Sequence, residues 1–426
     1  MPGAMARPSR RVKLWTILTA PTSMAPKAAE ASMSDSGGSE SGSPWTNPGG
    51  APGGADTFTS TSSQSWFSRI GSALVGLLIG LVLIPGSGFL LFWNEGRAVQ
   101  TARSLTEGAG LVRDVPADRP DGANEGRLVH VSGPVRVGQV PLDAELDARP
   151  PDGTLRLVRN VEMFQWLEEN RSETRTRLGG GTETVTTSTY RRGWHDGRVD
   201  SSRFRQPDGH QNPALRYQPR SFNAQGVTLG GFRLSDQQIG GLPADQTLSL
   251  PSGDSTRYIG GDPNNPRVGD LRITWRYAQP SDVSVIAAQA GDAFGPYATN
   301  AGDRLMLIRA GTVPAPAMFQ QAQDDNALLT WILRLVGVVL MFVGWALLFN
   351  PLKVLADVIP PLGAVVGFGT GALAAVLTAL VAPVVIAIAW LFYRPLVGIA
   401  ILAAGLALAY GFTRLRRRRP QQEKLA

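Results

Sequence analysis

Apolar positions along this chain are gathered into four long runs, one near the N-terminus and three near the C-terminus, with the mostly polar stretch 94–326 between them. From Ile70 to Phe92 no charged residue occurs. At 1.5 Å per residue such a run crosses a hydrocarbon core about 30 Å thick, so a transmembrane helix is expected over 66–93. Ala327 to Phe349 carries one charge, Arg334, near its start, where a long side chain can snorkel toward the interface. This predicts a second span over 327–349. Leu362 to Phe392 and Leu396 to Phe412, divided by Tyr393-Arg394-Pro395, predict a third span over 362–392 and a fourth over 396–412. A loop at 350–361 and a tail at 413–426 complete this end.

The stretch 94–326 follows a different period. Leu271, Ile273, Trp275 and Tyr277 alternate with Arg272, Thr274 and Arg276, which predicts a strand with one apolar face and one wet face. Extended runs at 127–131, 154–161, 182–190, 283–287 and 304–309 are punctuated by turn signals such as Pro120-Asp121-Gly122 and Pro151-Asp152-Gly153. A mainly β domain of the sandwich or barrel-like kind is expected. Residues 316–326 read as helical and lead directly into the second span. The fold class is therefore membrane α+β, four transmembrane helices with a large β domain between the first and second. Residues 1–65 are rich in Ser, Gly, Pro and Ala, which predicts a disordered region. The segment Arg10 to Leu18 resembles a secretory signal or a twin-arginine signal but is short, and Met24 and Met33 offer alternative starts.

Charge then orients the chain. Arg414, Arg416, Arg417, Arg418, Arg419 and Lys424 follow the last span, Lys353 follows the second, and Arg7, Arg10, Arg11, Lys13, Lys27 and Arg69 precede the first. Cytoplasmic flanks collect Lys and Arg, so both termini are expected in the cytoplasm and the β domain on the far side. Heavy use of Ala, Gly, Arg and Pro points to a GC-rich bacterial source. That predicts the inner membrane, with the endoplasmic reticulum or inner nuclear membrane as the counterpart in a eukaryote.

Candidate chemistry is sparse. The chain has no cysteine, which removes disulfides, thiolate nucleophiles and Cys-bound zinc. Its histidines are His130, His195 and His210, none at a helical i, i+4 spacing from another. Phosphate-loop, nucleophile-elbow and zinc-protease motifs are absent, and Glu162, Glu168 and Glu169 beside Trp166 read as surface ion-pair partners. No catalytic residue, metal or cofactor is expected. Two places carry structural expectations instead. Asn94, Glu95, Gly96 and Arg97 stand where the first span leaves the bilayer; Glu95 and Arg97 can cap the helix, pair with charges at the head of the second span or anchor the domain, and Gly96 is placed to end the helix. Gly363, Gly367 and Gly371, spaced by four, lie on one helix face and predict close helix packing within the chain or between copies. Pro383 in that span predicts a bend, which also allows a re-entrant element.

The run Phe92-Trp93-Asn94-Glu95-Gly96-Arg97-Ala98-Val99 resembles the signature of the LUMA family, also called transmembrane protein 43. Further segments match in order: Gly126 to Gly133, Val161 to Trp166, Gly269 to Ile273, Pro296-Tyr297, Leu329-Thr330-Trp331, and Asn350-Pro351-Leu352 to Pro360. Together they cover roughly residues 66–412. The resemblance implies a four-span topology and a scaffolding or membrane-organising role without catalysis; eukaryotic members are associated with partners such as lamins and emerin, which do not transfer to a bacterial chain. Expected partners are the lipid bilayer, further copies of the chain and unidentified membrane or envelope proteins, with no nucleic acid. A channel or transporter is the alternative, weakened because Thr370 and Thr378 are nearly the only polar residues at membrane depth, and an envelope stress sensor is a third reading.

Overall fold

The computed structural model describes residues 56–396, 398–400, 403–405, 407 and 410. Three helices in it are long and apolar enough to cross a membrane: α1 (Trp66–Leu111), α2 (Ala315–Ala356) and α3 (Pro360–Tyr393). The fourth expected span and the basic tail fall largely outside the described residues. Helices α1 and α2 pack along their length through small residues. A methyl group added at Gly80 would lie 2.6 Å from the Gly344 carbonyl oxygen, and one at Gly337 would lie 2.6 Å from the Leu91 side chain. Without an apolar driving force between helices in lipid, such close backbone approach is what van der Waals attraction requires. Leu91, Met341 and Ala382 then form a buried contact among all three helices.

Both long helices run further than the span pattern indicates. α1 continues past Gly96 to Leu111, because Gly96 is not in the left-handed conformation that ends a helix. Its last turns bury Leu105 against Leu128, Ile286 and Leu305, while the start of α2 adds Met318 and Phe319 to the same cluster. α2 continues through Pro351 to Ala356, so the expected 350–361 loop shrinks to the few residues between Ala356 and Pro360. α3 likewise passes through Pro383 as one helix rather than a re-entrant element.

The β domain is built on two sheets. In the first, strand β1 (Asp56–Gln64) pairs with β4 (Thr182–Asp196), which pairs with β3 (Arg156–Thr176), which pairs with β5 (Leu271–Ala278) and then with strand Thr256–Ile259. In the second, β2 (Leu128–Arg136) and β6 (Asp282–Ala290) pair directly and are also joined through the short strands Thr228–Leu229, Phe232–Arg233 and Ala293–Gly295, which closes this sheet into a small barrel. Val131, Leu229, Phe232 and Val285 fill it. The alternation read at Leu271–Tyr277 holds, with Leu271, Ile273 and Trp275 buried against Leu157, Val161 and Met163. Buried among them is Arg159, whose guanidinium lies 3.0 Å from both carboxylate oxygens of Asp143, itself accepting from the Trp275 indole at 2.9 Å. A charge inside an apolar sheet face persists only with such a partner.

Residues 56–64 correct the expectation of a disordered segment through residue 65. Nine residues of Ser, Thr and Phe character form β1, paired residue for residue with Thr182–Tyr190. Strands β3 and β4 are correspondingly longer than their apolar patterns, because 168–176 and 182–190 extend as a polar hairpin that β1 widens to three strands.

The Gly80 contact gives a direct test. Gly80→Ala should lower the melting temperature of the purified full-length protein in detergent by an amount corresponding to about 1–3 kcal/mol of overpacking, while Gly88→Ala, with open space around it, should not.

Candidate functional site

Where the apolar part of α1 ends, four consecutive residues turn to the other helices. Asn94 and Glu95 are almost fully buried although polar. The Asn94 amide donates to the Thr330 carbonyl at 3.1 Å. Arg97 donates to Asn326 Oδ1 at 2.9 Å and to Thr330 Oγ1 at 3.0 Å, and the Asn326 amide donates back to the Ala98 carbonyl at 3.0 Å. Glu95 takes both Nε and Nη2 of Arg334, at 2.6 and 2.9 Å, and accepts from the Trp390 indole at 2.8 Å. Gly96 leaves room for the Tyr393 ring, which a methyl group there would meet at 2.6 Å. Asn94 and Arg97 thus bind α2, Gly96 faces α3, and Glu95 binds both.

Of the roles open to these residues in the sequence, pairing with the head of the second span is the one observed. Arg334 does not snorkel outward. It lies between the rings of Trp331, at 4.6 Å, and Trp390, at 5.8 Å, facing the Glu95 carboxylate. A planar guanidinium suits this position because it stacks on indoles and offers a two-pronged donor to a carboxylate. Asn326, Thr330 and Trp390 were not singled out in the sequence. The signal available was a pair of opposite charges, Glu95 and Arg334, at the matching ends of two adjacent spans.

A second polar joint closes the other end of the bundle. Arg69, at the start of α1, pairs with Asp357, just past the end of α2, and the Trp66 indole donates to the Val354 carbonyl at 2.9 Å. Arg69 and Glu95 are 26 residues apart, about 39 Å along a helix, so the two joints bracket an apolar interval of bilayer thickness. The glycines of α3 divide between environments. A methyl group at Gly363 would strike Asp357, one at Gly367 would press on the Lys353 stem, and Gly371 meets nothing within one copy.

Several titratable groups of the domain make structural contacts. His130 lies between Asp114 Oδ1, at 2.6 Å, and the Val313 carbonyl, at 3.0 Å, tying β2 to the segment leading into α2. His210 is stacked on Tyr190 with ring centroids 4.0 Å apart. Glu168 accepts from the Tyr190 hydroxyl and the Arg205 amide, at 3.3 and 3.1 Å. Among the described residues, no three His, Asp or Glu side chains converge as a metal site would require. Tyr258 is pushed up to about 12 by burial and by its hydrogen bond to Asp270. Burial opposes ionisation of Asp270, yet donation from the Arg267 amide, the Tyr258 hydroxyl and the Gly261 amide outweighs it and holds the carboxyl below its usual value.

Three long apolar helices joined to a large mainly β domain define a membrane protein of the α+β class. The comparisons agree. The sequence model of the family described as Transmembrane protein 43 matches residues 163–395. Transmembrane protein 43 of Homo sapiens is 35% identical over 373 residues, covering 82% of this chain and 92% of its own length. The Mus musculus protein of the same name is 34% identical over 362 residues, covering 79% and 89%. The Transmembrane protein 43 homolog of Drosophila melanogaster is 31% identical over 362 residues, covering 79% and 94%. No solved structure matches the chain. The chain belongs to the Transmembrane protein 43 family.

Two predictions follow from these contacts. Glu95→Gln leaves Arg334 buried without its counter-charge and should cost about 3–5 kcal/mol in thermal unfolding, whereas adding Arg334→Gln should recover part of that loss in a double-mutant cycle. For Asp270, the stabilisation is fully present above the unfolded carboxyl value, about 3.9, and fades as pH falls through the lower folded value. For Tyr258 the sign reverses: stability is present below about 10 and is lost as pH rises toward 12. Asp270→Asn should therefore flatten the acid limb of a melting-temperature profile.

Proposed function

We propose that this protein is a non-enzymatic scaffold or membrane organiser, in which the β domain and the helix bundle move as one body so that partners gathered at the membrane are held in fixed register with it. The observation that carries this reading is the continuity of α1 and α2 from their apolar segments into the cluster of Leu105, Met318 and Phe319, locked at the transition by Glu95, Arg334 and Trp390. A hinge at the bilayer surface would decouple the two parts, and this joint has a continuous helix and a charge-assisted bond where a hinge would need a loop.

In this reading the Arg69 and Lys353 end of the bundle faces the cytoplasm and the domain lies on the opposite side, by the basic-flank rule. A bacterial member would occupy the inner membrane. Its partners are further copies of the chain and other membrane or envelope proteins, with Asn94, Glu95, Gly96 and Arg97 as the coupling site and Gly363, Gly367 and Gly371 available for helix packing.

Crosslinking and affinity purification of the full-length protein from its native membrane, read by mass spectrometry, tests this. Partners are expected with the wild type and should fall severalfold with Asn94→Ala/Arg97→Ala at equal expression. Recovery of no other protein would remove the heterologous scaffold role.

A further inference from the structure

Arginines at the Glu95 end of the bundle fall into two pairs. Arg97 and Arg334 are spent inside the protein, the first on Asn326 and Thr330 and the second on Glu95. Arg103 and Arg394 are exposed, and among the described residues neither has a carboxylate partner. Arg103 has an obvious one in sequence, because Glu107 stands at the i, i+4 spacing where helical arginine and glutamate ordinarily pair. Both oxygens of Glu107 are instead taken by the loop at 299–303. Oε1 accepts from the backbone and side-chain amides of Asn300 at 2.9 and 2.8 Å, and Oε2 accepts from the Ala301 amide at 3.2 Å. Asp303 of the same loop accepts from Gln100 at 2.8 Å. The acids of this region are thus committed to holding the loop on α1.

Arg103 turns toward α3, where its Nη2 donates to the Tyr393 carbonyl at 2.8 Å. Arg394 comes next in the chain and ends α3; its backbone N–H donates to the carbonyl of Trp390, the residue whose indole holds Glu95. Both arginines line an open cleft of about 330 Å³, together with Val99, Ala102 and Thr106. Apolar surface runs up to this cleft. Phe392 and Leu396, on either side of Arg394, are exposed, and Phe92 packs on Tyr393 and Phe392 with ring centroids 5.2 and 5.8 Å away. Arg103 lies seven residues past Gly96, about 10 Å along α1, and a long helical side chain leans back toward its N-terminus, which brings the guanidinium to the level of Tyr393. Cations set just beyond aromatic rings at the end of apolar helices suit the boundary between hydrocarbon and headgroups.

We propose that this cleft binds a phospholipid with a net negative headgroup, its phosphodiester between Arg103 and Arg394 and its acyl chains along Phe392 and Leu396. Guanidinium N–H groups make charge-assisted hydrogen bonds to phosphate oxygens, and two guanidiniums together exceed the single charge of one phosphodiester. A zwitterionic headgroup brings an ammonium of its own, and the residues lining the cleft include no carboxylate to receive it. Charge complementarity therefore selects an anionic lipid, and the membrane supplies the counter-charge that Glu107 does not. The bound lipid would lie against α1 and α3 together, next to the joint of Glu95, Arg334 and Trp390, and hold the end of α3 on α1. This inference needs the apolar helices to lie in lipid and does not depend on the partners proposed above, so the two fail separately.

Native mass spectrometry of the full-length protein, titrated in detergent with phosphatidylglycerol or phosphatidylcholine of the same chain length, reads the site. The wild type should retain phosphatidylglycerol severalfold better than phosphatidylcholine. Arg103→Gln/Arg394→Gln should lower that preference severalfold, and Lys353→Gln, at the opposite end of the bundle, should keep it. Equal retention of the two lipids by the wild type overturns the proposal, as does a preference unchanged in an arginine variant that melts like the wild type, or one lost with Lys353→Gln. Inorganic phosphate that raises the melting temperature as much as phosphatidylglycerol does, through the same arginines, assigns the cleft to a free anion and also overturns it. Where the double variant does not fold, diazirine-bearing phosphatidylglycerol crosslinked to the wild type in vesicles decides. Label within 99–106 or 392–396 is expected, and label confined to other segments sinks the site.

Discussion

The Glu95 carboxylate, held by Arg334 and Trp390, is the constraint on which the arrangement depends. A single buried carboxylate is costly, and helices from both sides of the sequence offset that cost by coming together around it. α1 supplies the anion, α2 the cation and α3 the indole. The ion pair fixes the rotation of each helix, and the small residues then decide how closely the helices approach. Gly80 against Gly344 and Gly337 against Leu91 are consequences of that rotation as much as causes of it.

From this joint the domain inherits its position. α1 and α2 emerge side by side, and Leu105 and Phe319 face Leu128 and Ile286 on the barrel-like sheet, so the sheet is built directly on the helix ends. The first sheet hangs from the second through the short connection between β5 and β6, and its long strands β3 and β4 return toward the bundle. Arg69, Trp66 and the Val358 carbonyl then catch the hairpin tip at the far end. The chain thus touches its helix bundle at both ends.

Much of this was legible in the residues. Uncharged or nearly uncharged runs marked three helices, strict alternation marked β5, and the resemblance carried by Phe92–Val99 identified the family, with Leu329-Thr330-Trp331 now seen beside that run in space. The misreadings have physical reasons. Gly96 looked like a helix end because glycine so often ends helices, but its missing side chain admits the Tyr393 ring. Residues 56–64 looked disordered because Ser and Thr without apolar partners offer nothing to bury, yet the backbone pairing that forms β1 makes no demand on side chains. Pro351 looked like part of a loop, although a membrane helix passes through it.

By itself the sequence determined what each segment must avoid: the apolar runs cannot stay in water, the alternating strands need one dry face, and the chain without cysteine relies on noncovalent contacts throughout. Only the tertiary structure decided which charges meet. Periodicity reports the environment of a residue but not the identity of a partner 239 positions away, and the separation between Glu95 and Arg334 is closed by the antiparallel register of two helices.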